Sequence, residues 1–211
     1  ANTDTTKAMA DLKNKLADNA DQKSKDLMRK QNPLFSLLNF EHVSEAGPVA
    51  GIAHRNDTAE INRLLSMKQV REILPSDLIF RWTVKAIDEK DTYYQLIALK
   101  SSKGGKAPLG GDVITDARDD FDKLQGSVVS MSMNAEGAKI WEKLTRDNIG
   151  RSIAIVLDNQ VYSFPNVNTA ISGGSSQITG GFSPEEAKDL ANVLKSGKMA
   201  AAVSIVQEDI I

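Results

Sequence analysis

The sequence predicts an α+β fold: a mainly antiparallel sheet packed on one face by helices, with a charged helical N-terminal arm. Three observations carry this prediction. Residues 78–86 and 128–133 alternate apolar and polar side chains, the period of a strand with one wet face. Residues 58–74, 134–150 and 183–197 place capping residues ahead of apolar stripes at helical spacing. The two kinds of segment do not follow a strict strand-helix-strand rhythm, which argues against a wholly parallel sheet. With 211 residues, 41% of them hydrophobic and 26% charged, the chain can fill a core.

Residues 1–32 hold seven Lys/Arg, five Asp and no aromatic residue, and their apolar stripe is only Met9, Leu12 and Leu16. They predict a solvated helical leader that Pro33 ends, with a single domain over 33–211. Asp57 with Glu60, and again Ser66 with Gln69, read as capping boxes. Ile61, Leu64, Leu65, Val70, Ile73 and Leu74 continue one apolar face, so 58–74 reads as a helix broken near Ser66. Strands follow at 78–86, with Phe80, Trp82, Val84 and Ala86 on one side, and at 93–100, joined as a hairpin through Asp88–Asp91.

The third strand carries Val129, Met131 and Met133. Asn134 caps the next helix, whose inward residues are Ala138, Ile140, Trp141 and Leu144. Residues 153–157 are apolar on both faces, as in a central strand, and Asp158-Asn159 suits a two-residue reversal into 161–164. Glycines 173, 174, 180 and 181 bracket a short strand at 177–179. Ser183-Pro184-Glu185-Glu186 opens the last helix, with Ala187, Leu190, Ala191 and Leu194 inward and Gly197 as its stop, ahead of a final strand at 202–206.

Several function classes find no support. Net charge is -2, so no bulk positive field recruits nucleic acid. Cysteine is absent, which removes thiolate nucleophiles and thiolate metal sites. His42 and His54 lack any metal-ligand spacing and read as loop residues. Asp112, Asp116, Asp119, Asp120 and Asp122 lack the ligand alternation of a calcium loop, and Asp116, Asp119 and Asp120 read as the wet face of a helical turn. No phosphate loop or nucleophile elbow is present, and no cofactor, metal or catalytic residue is predicted. No apolar run reaches the roughly 18 residues of a membrane span.

Seven short motifs then occur in order. They are Gly111-Asp112-Val113-Ile114-Thr115-Asp116-Ala117, Asn134-Ala135-Glu136-Gly137-Ala138-Lys139, Asp147-Asn148-Ile149-Gly150, Ile153-Ala154-Ile155-Val156-Leu157-Asp158, Gly174-Ser175-Ser176-Gln177-Ile178-Thr179-Gly180, Glu186-Ala187-Lys188-Asp189-Leu190-Ala191 and Ile205-Val206-Gln207-Glu208. In this order they resemble the periplasmic head of the SecD/SecDF family of the bacterial Sec protein-export machinery. Residues 1–77 carry little of the resemblance.

The resemblance implies a non-enzymatic periplasmic domain of an inner-membrane protein. It implies an unfolded preprotein chain as partner, with SecF and the SecYEG channel reached through a membrane part that uses the proton gradient. A weak, sequence-tolerant grip calls for apolar patches and a strand edge. The candidate contacts are Pro108, Leu109 and Val113 in one loop, Val161, Tyr162 and Phe164 in a second segment, and Ser175, Gln177 and Ile178 in a third. Two rivals stay open: a hydrolase using the Asp112–Asp122 carboxylates, and a structural spacer of the secretion complex.

Overall fold

The computed structural model describes residues 31–40, 43, 47–101, 107–196 and the backbone of 201–205; the leader over 1–30 and His42 lie outside the described residues. Gln31 is helical and Asn32 is not, and Pro33 begins a short helix, α1 (Pro33–Leu37), at the position where its missing N–H costs no hydrogen bond. Strand β1 (Val49–His54), absent from the sequence reading, follows, so His54 closes a strand instead of sitting in a loop. Its ring packs edge-on against Tyr93 at 5.5 Å.

Helices α2 (Thr58–Ser66) and α3 (Lys68–Ile73) confirm the break near Ser66 but not the capping boxes. Asp57 is itself helical (φ -93°, ψ -11°) at the end of a 3-10 turn, so its side chain caps nothing, and Glu60 instead accepts two hydrogen bonds from Arg63 at 2.8 and 2.6 Å. Ser66 likewise donates back to the Arg63 carbonyl instead of capping α3. Met67 is extended (φ -61°, ψ 140°), which re-aims α3; Ile61 and Leu64 are buried while Ile73 is 81% exposed, so the apolar stripe does not continue.

Strands β2 (Leu78–Trp82) and β3 (Tyr93–Lys100) form the expected hairpin, with Trp82 opposite Leu96. A 3-10 turn at Gly111–Val113 leads into β4 (Ile114–Asp122), a strand where a helical turn was expected, and this pairs with β5 (Gly126–Met133). Helix α4 (Ala135–Asp147) is capped as predicted, the Asn134 side chain accepting from Gly137 N at 2.8 Å. Strands β6 (Ile153–Leu157) and β7 (Gln160–Ser163) meet through Asp158 and Asn159 at φ 46° and 65°, the two-residue turn that matches strand twist. Then come β8 (Ser175–Phe182), longer than expected, α5 (Pro184–Lys195) and β9 (Ala201–Ile205). The Ser183/Glu186 capping box at the start of α5 is fully formed.

Among the described residues the strands make two sheets rather than one. The larger runs β1-β3-β9-β6-β7, with β2 on β3; the smaller is β4-β5-β8. Beyond β2 the chain meets β7, where Thr83 bridges Val161 and Val84 N donates to the Val161 carbonyl at 2.9 Å. This contact curls the larger sheet toward closure. Ile97, Leu99, Ala154, Val156 and Val161 pack together inside the curl. Leu96 and Ala53, on its outer side, are covered by Ile61 of α2 and Leu38. Ile153 and Ile155 project the opposite way from Ala154 and Val156, into a core shared with Val129, Met131, Trp141 and the inward face of α5. Burial on both sides is why 153–157 reads as an unbroken apolar run.

Candidate functional site

The period of two along β7 sends Val161 into the curled sheet and Tyr162 outward, against the shared core. Facing Tyr162 is the end of β8. Gly181 there adopts φ 63°, a left-handed turn that suits glycine, and aims Phe182 back over Gly180. A Cβ on Gly180 would lie 2.8 Å from the tip of the Phe182 ring, so the bare backbone is what leaves room for it. Between these elements run two adjoining clefts of about 310 and 250 Å³, both lined by Lys85, Tyr162, Gly180 and Phe182. Ile87, Phe164 and Pro165 extend the first; Val84 and Leu190 extend the second. The surface is apolar and aromatic, of the kind that accepts varied side chains.

One ion pair ties the walls together. Lys85 Nζ lies 2.6 Å from Glu186 Oε1, while Ser183 N donates to Glu186 Oε2 at 2.7 Å. Lys85 first, and then the Ser183 backbone, hold the Glu186 carboxyl below the ordinary glutamate range. A carboxyl depressed in the folded state adds stability above its unfolded pKa, near 4.5, and that stability is lost as the pH falls through the folded value. Urea midpoints at pH 7 and pH 3.5 should therefore differ more for the wild type than for Glu186→Gln, whose amide keeps the cap but not the charge. Equal pH sensitivity in both proteins would show that the carboxylate contributes nothing.

The predicted contact residues divide. Tyr162 and Phe164 are half-buried and line the cleft. Val161 also lines it but is buried at 1% exposure, and Leu109, Val113 and Ile178 are core residues too. Their side chains are taken up by internal packing, which corrects their reading as contact residues: an apolar residue in a Gly- or Pro-rich stretch need not be on the surface. Ser175 and Gln177 are exposed on β8, Gln177 bordering a separate cleft beside Asn166 and Thr169. Pro108 is half-buried, and the clefts at Tyr162 are not lined by any of Pro108, Leu109 and Val113.

Sequence reasoning passed over Phe182, Lys85 and Ile87. Phe182 had a signal, an aromatic residue between a glycine pair and a helix cap, but nothing local pairs it with Tyr162.

The acidic segment is extended. Asp120 accepts from Ser130 Oγ at 3.3 Å, Asp122 from Leu124 N and Gln125 N at 2.8 and 3.0 Å, and Asp116 pairs with Lys195 at 3.4 Å. These carboxylates work locally along a strand, and among the described residues no three of His, Cys, Asp or Glu gather as a metal site. No described helix is long and apolar enough to cross a membrane.

Comparison with known proteins points one way. Residues 86–201 match the family model described as the SecDF P1 head subdomain. The protein translocase subunit SecD of Rhodothermus marinus is 45% identical over 183 residues, 85% of this chain and 28% of that protein. The protein translocase subunit SecDF of Thermus thermophilus is 34% identical over 172 residues, 82% of this chain and 20% of that protein. A solved structure of SecDF, described as a membrane component that enhances protein export, has a TM-score of 0.40 at 35% identity, covering 72% of this chain and 61% of that one. The chain thus spans less than a third of the length of these curated relatives.

Proposed function

This chain belongs to the SecD/SecDF family of protein translocase subunits, and from that membership we propose that it is the periplasmic head of such a subunit, transiently holding an unfolded preprotein during export. The observation that carries this reading is the aromatic cleft at Tyr162, Phe164 and Phe182, inside the segment that matches the head model. The cleft works by contact area and does no bond chemistry. Its grip is weak and sequence-tolerant, because rings and aliphatic groups reward any apolar side chain while a tight complex would stall export. Exposed Ser175 and Gln177, toward the opposite end of β8 from Phe182, offer a second contact along the edge of that strand. In the whole protein, the membrane part would draw on the proton gradient, with SecF and the SecYEG channel as neighbours in the cell membrane.

Photo-cross-linking tests this. With a photoreactive residue at Tyr162 or Phe182, a reduced, carboxymethylated polypeptide should give adducts, and its folded parent several-fold fewer. The same probe at exposed Lys139, which lines none of the clefts, should give few with either. Equal yields at all three positions would remove the cleft as the contact. No adduct anywhere would leave the domain a structural spacer.

A further inference from the structure

A second cleft lies far from these aromatics in chemistry. It has a volume of about 560 Å³ and is framed by Asn62, Leu65, Ser66 and Arg71 from the α2–α3 side, residues 79–82 of β2, and Asn159 of the β6–β7 turn. Its floor is apolar, with Leu65, Ile79, Phe80 and Trp82 all half-buried. Its charged groups are both donors. The Asn62 carbonyl oxygen already accepts from Trp82 Nε1 at 2.9 Å, which leaves its amide N–H groups over. Arg71 and Arg81 supply two guanidinium groups, and no Asp or Glu lines the cleft.

Neither arginine has a carboxylate partner among the described residues. The nearby acids on α2 and α3 are engaged, Glu60 with Arg63 at 2.6 Å and Glu72 with Lys68 at 3.7 Å. The one hydrogen bond from the Arg81 guanidinium goes to the adjacent Phe80 carbonyl at 2.8 Å, which leaves most of its five donors unused. Arg81 is half-buried, and burial pushes its pKa down from the ordinary arginine value. A partly desolvated cation without a counter-charge is an incomplete arrangement, and an oxyanion completes it.

We propose that this cleft receives the side-chain carboxylate of an acidic polypeptide segment, gripped by Arg81 and Arg71, while an apolar neighbour in that segment packs on Leu65, Phe80 and Trp82. A polypeptide fits better than a lipid surface. Recognition of anionic membranes takes clusters of about four to eight basic residues. Here there are two arginines, set in a concave site with an aromatic floor that suits a single inserted side chain. The proposal does not rest on preprotein contact at Tyr162, since the two clefts share no lining residue.

The test uses the 211-residue chain and a fluorescein-labelled, end-blocked hexapeptide, Gly-Leu-Glu-Leu-Glu-Gly, followed by anisotropy. Binding should weaken with salt, and replacing both glutamates by glutamine should weaken it about tenfold. Arg81→Gln should cost a similar factor, Arg81→Lys less, and Arg71→Gln several-fold, with unchanged thermal midpoints showing that the fold is kept. Loss of the Arg81→Gln fold would shift the decision to Arg71→Gln, an exposed helix position. Equal binding of the acid and amide peptides, or wild-type binding by the folded arginine variants, overturns the proposal. So does peptide failure together with arginine-dependent retention on phosphatidylglycerol vesicles, which would make the ligand a lipid phosphate.

Discussion

Gly174→Val should destabilise the domain by about 3 kcal/mol, the sum of left-handed backbone strain and overpacking. Gly174 sits at φ 73°, where a β-branched side chain is strained, and its missing Cβ would lie 2.9 Å from Ala138 Cβ and 3.2 Å from the Met133 carbonyl oxygen. Relief by a shift is blocked, because the Gly174 carbonyl accepts from Met133 N at 2.7 Å. Any movement of one loosens the other, and with it the seat of α4 against β5. Gly173 is the internal control, with φ 83° and nothing within 4 Å of an added Cβ. Gly173→Ala should cost only the backbone term, about 1 kcal/mol. Urea unfolding of both variants checks this, and a Gly174→Val loss no larger than that of Gly173→Ala would refute the packing argument.

Leu190→Ala should remove a comparable amount, about 3 kcal/mol, through lost burial and the cavity left behind. Leu190 is 2% exposed in the core shared by both sheets, yet it also lines the cleft beside Tyr162 and Phe182. Leu194 is equally buried one turn on, in the same core, but lines neither part of that cleft. Both alanine variants should lower the urea midpoint by similar amounts. Only Leu190→Ala should also change the cross-linking yield at Tyr162, since it removes part of the floor beneath the rings. Parallel cross-linking changes in both would mean that general loosening, and not the shape of the cleft, sets the yield.

How much of this was legible depends on distance along the chain. The Ser183 cap, the Asn134 cap and the Asp158-Asn159 turn involve groups within three residues of each other, and all three stand as read, with Glu186 completing a box at Ser183. The box read at Asp57 did not form, because a 3-10 turn at Arg55–Asp57 had already made Asp57 helical. The acidic segment 116–122 misled for a related reason. Asp116, Asp119 and Asp120 have helical spacing, but pairing with β5 along 114–122 determines their conformation. Within the candidate site, Tyr162 and Phe164 come from a segment the sequence had singled out, while Phe182, Lys85 and Glu186 enter only because β8 and α5 fold back across β7.

The amino-acid order alone settled most of the helices and strands, β1 and the acidic strand β4 excepted, and which family the motif series resembles. Each of these depends on caps, turns and periodicities spanning a few residues. Tertiary structure decided that the strands divide into two sheets, that the larger curls through the bridge between Thr83 and Val161, and that Leu109, Val113 and Ile178 are core while Tyr162 faces a cleft. Those outcomes depend on strand pairings tens of residues apart. A side chain's own neighbours say which way it alternates, but only the partner sheet determines which of its two faces is covered.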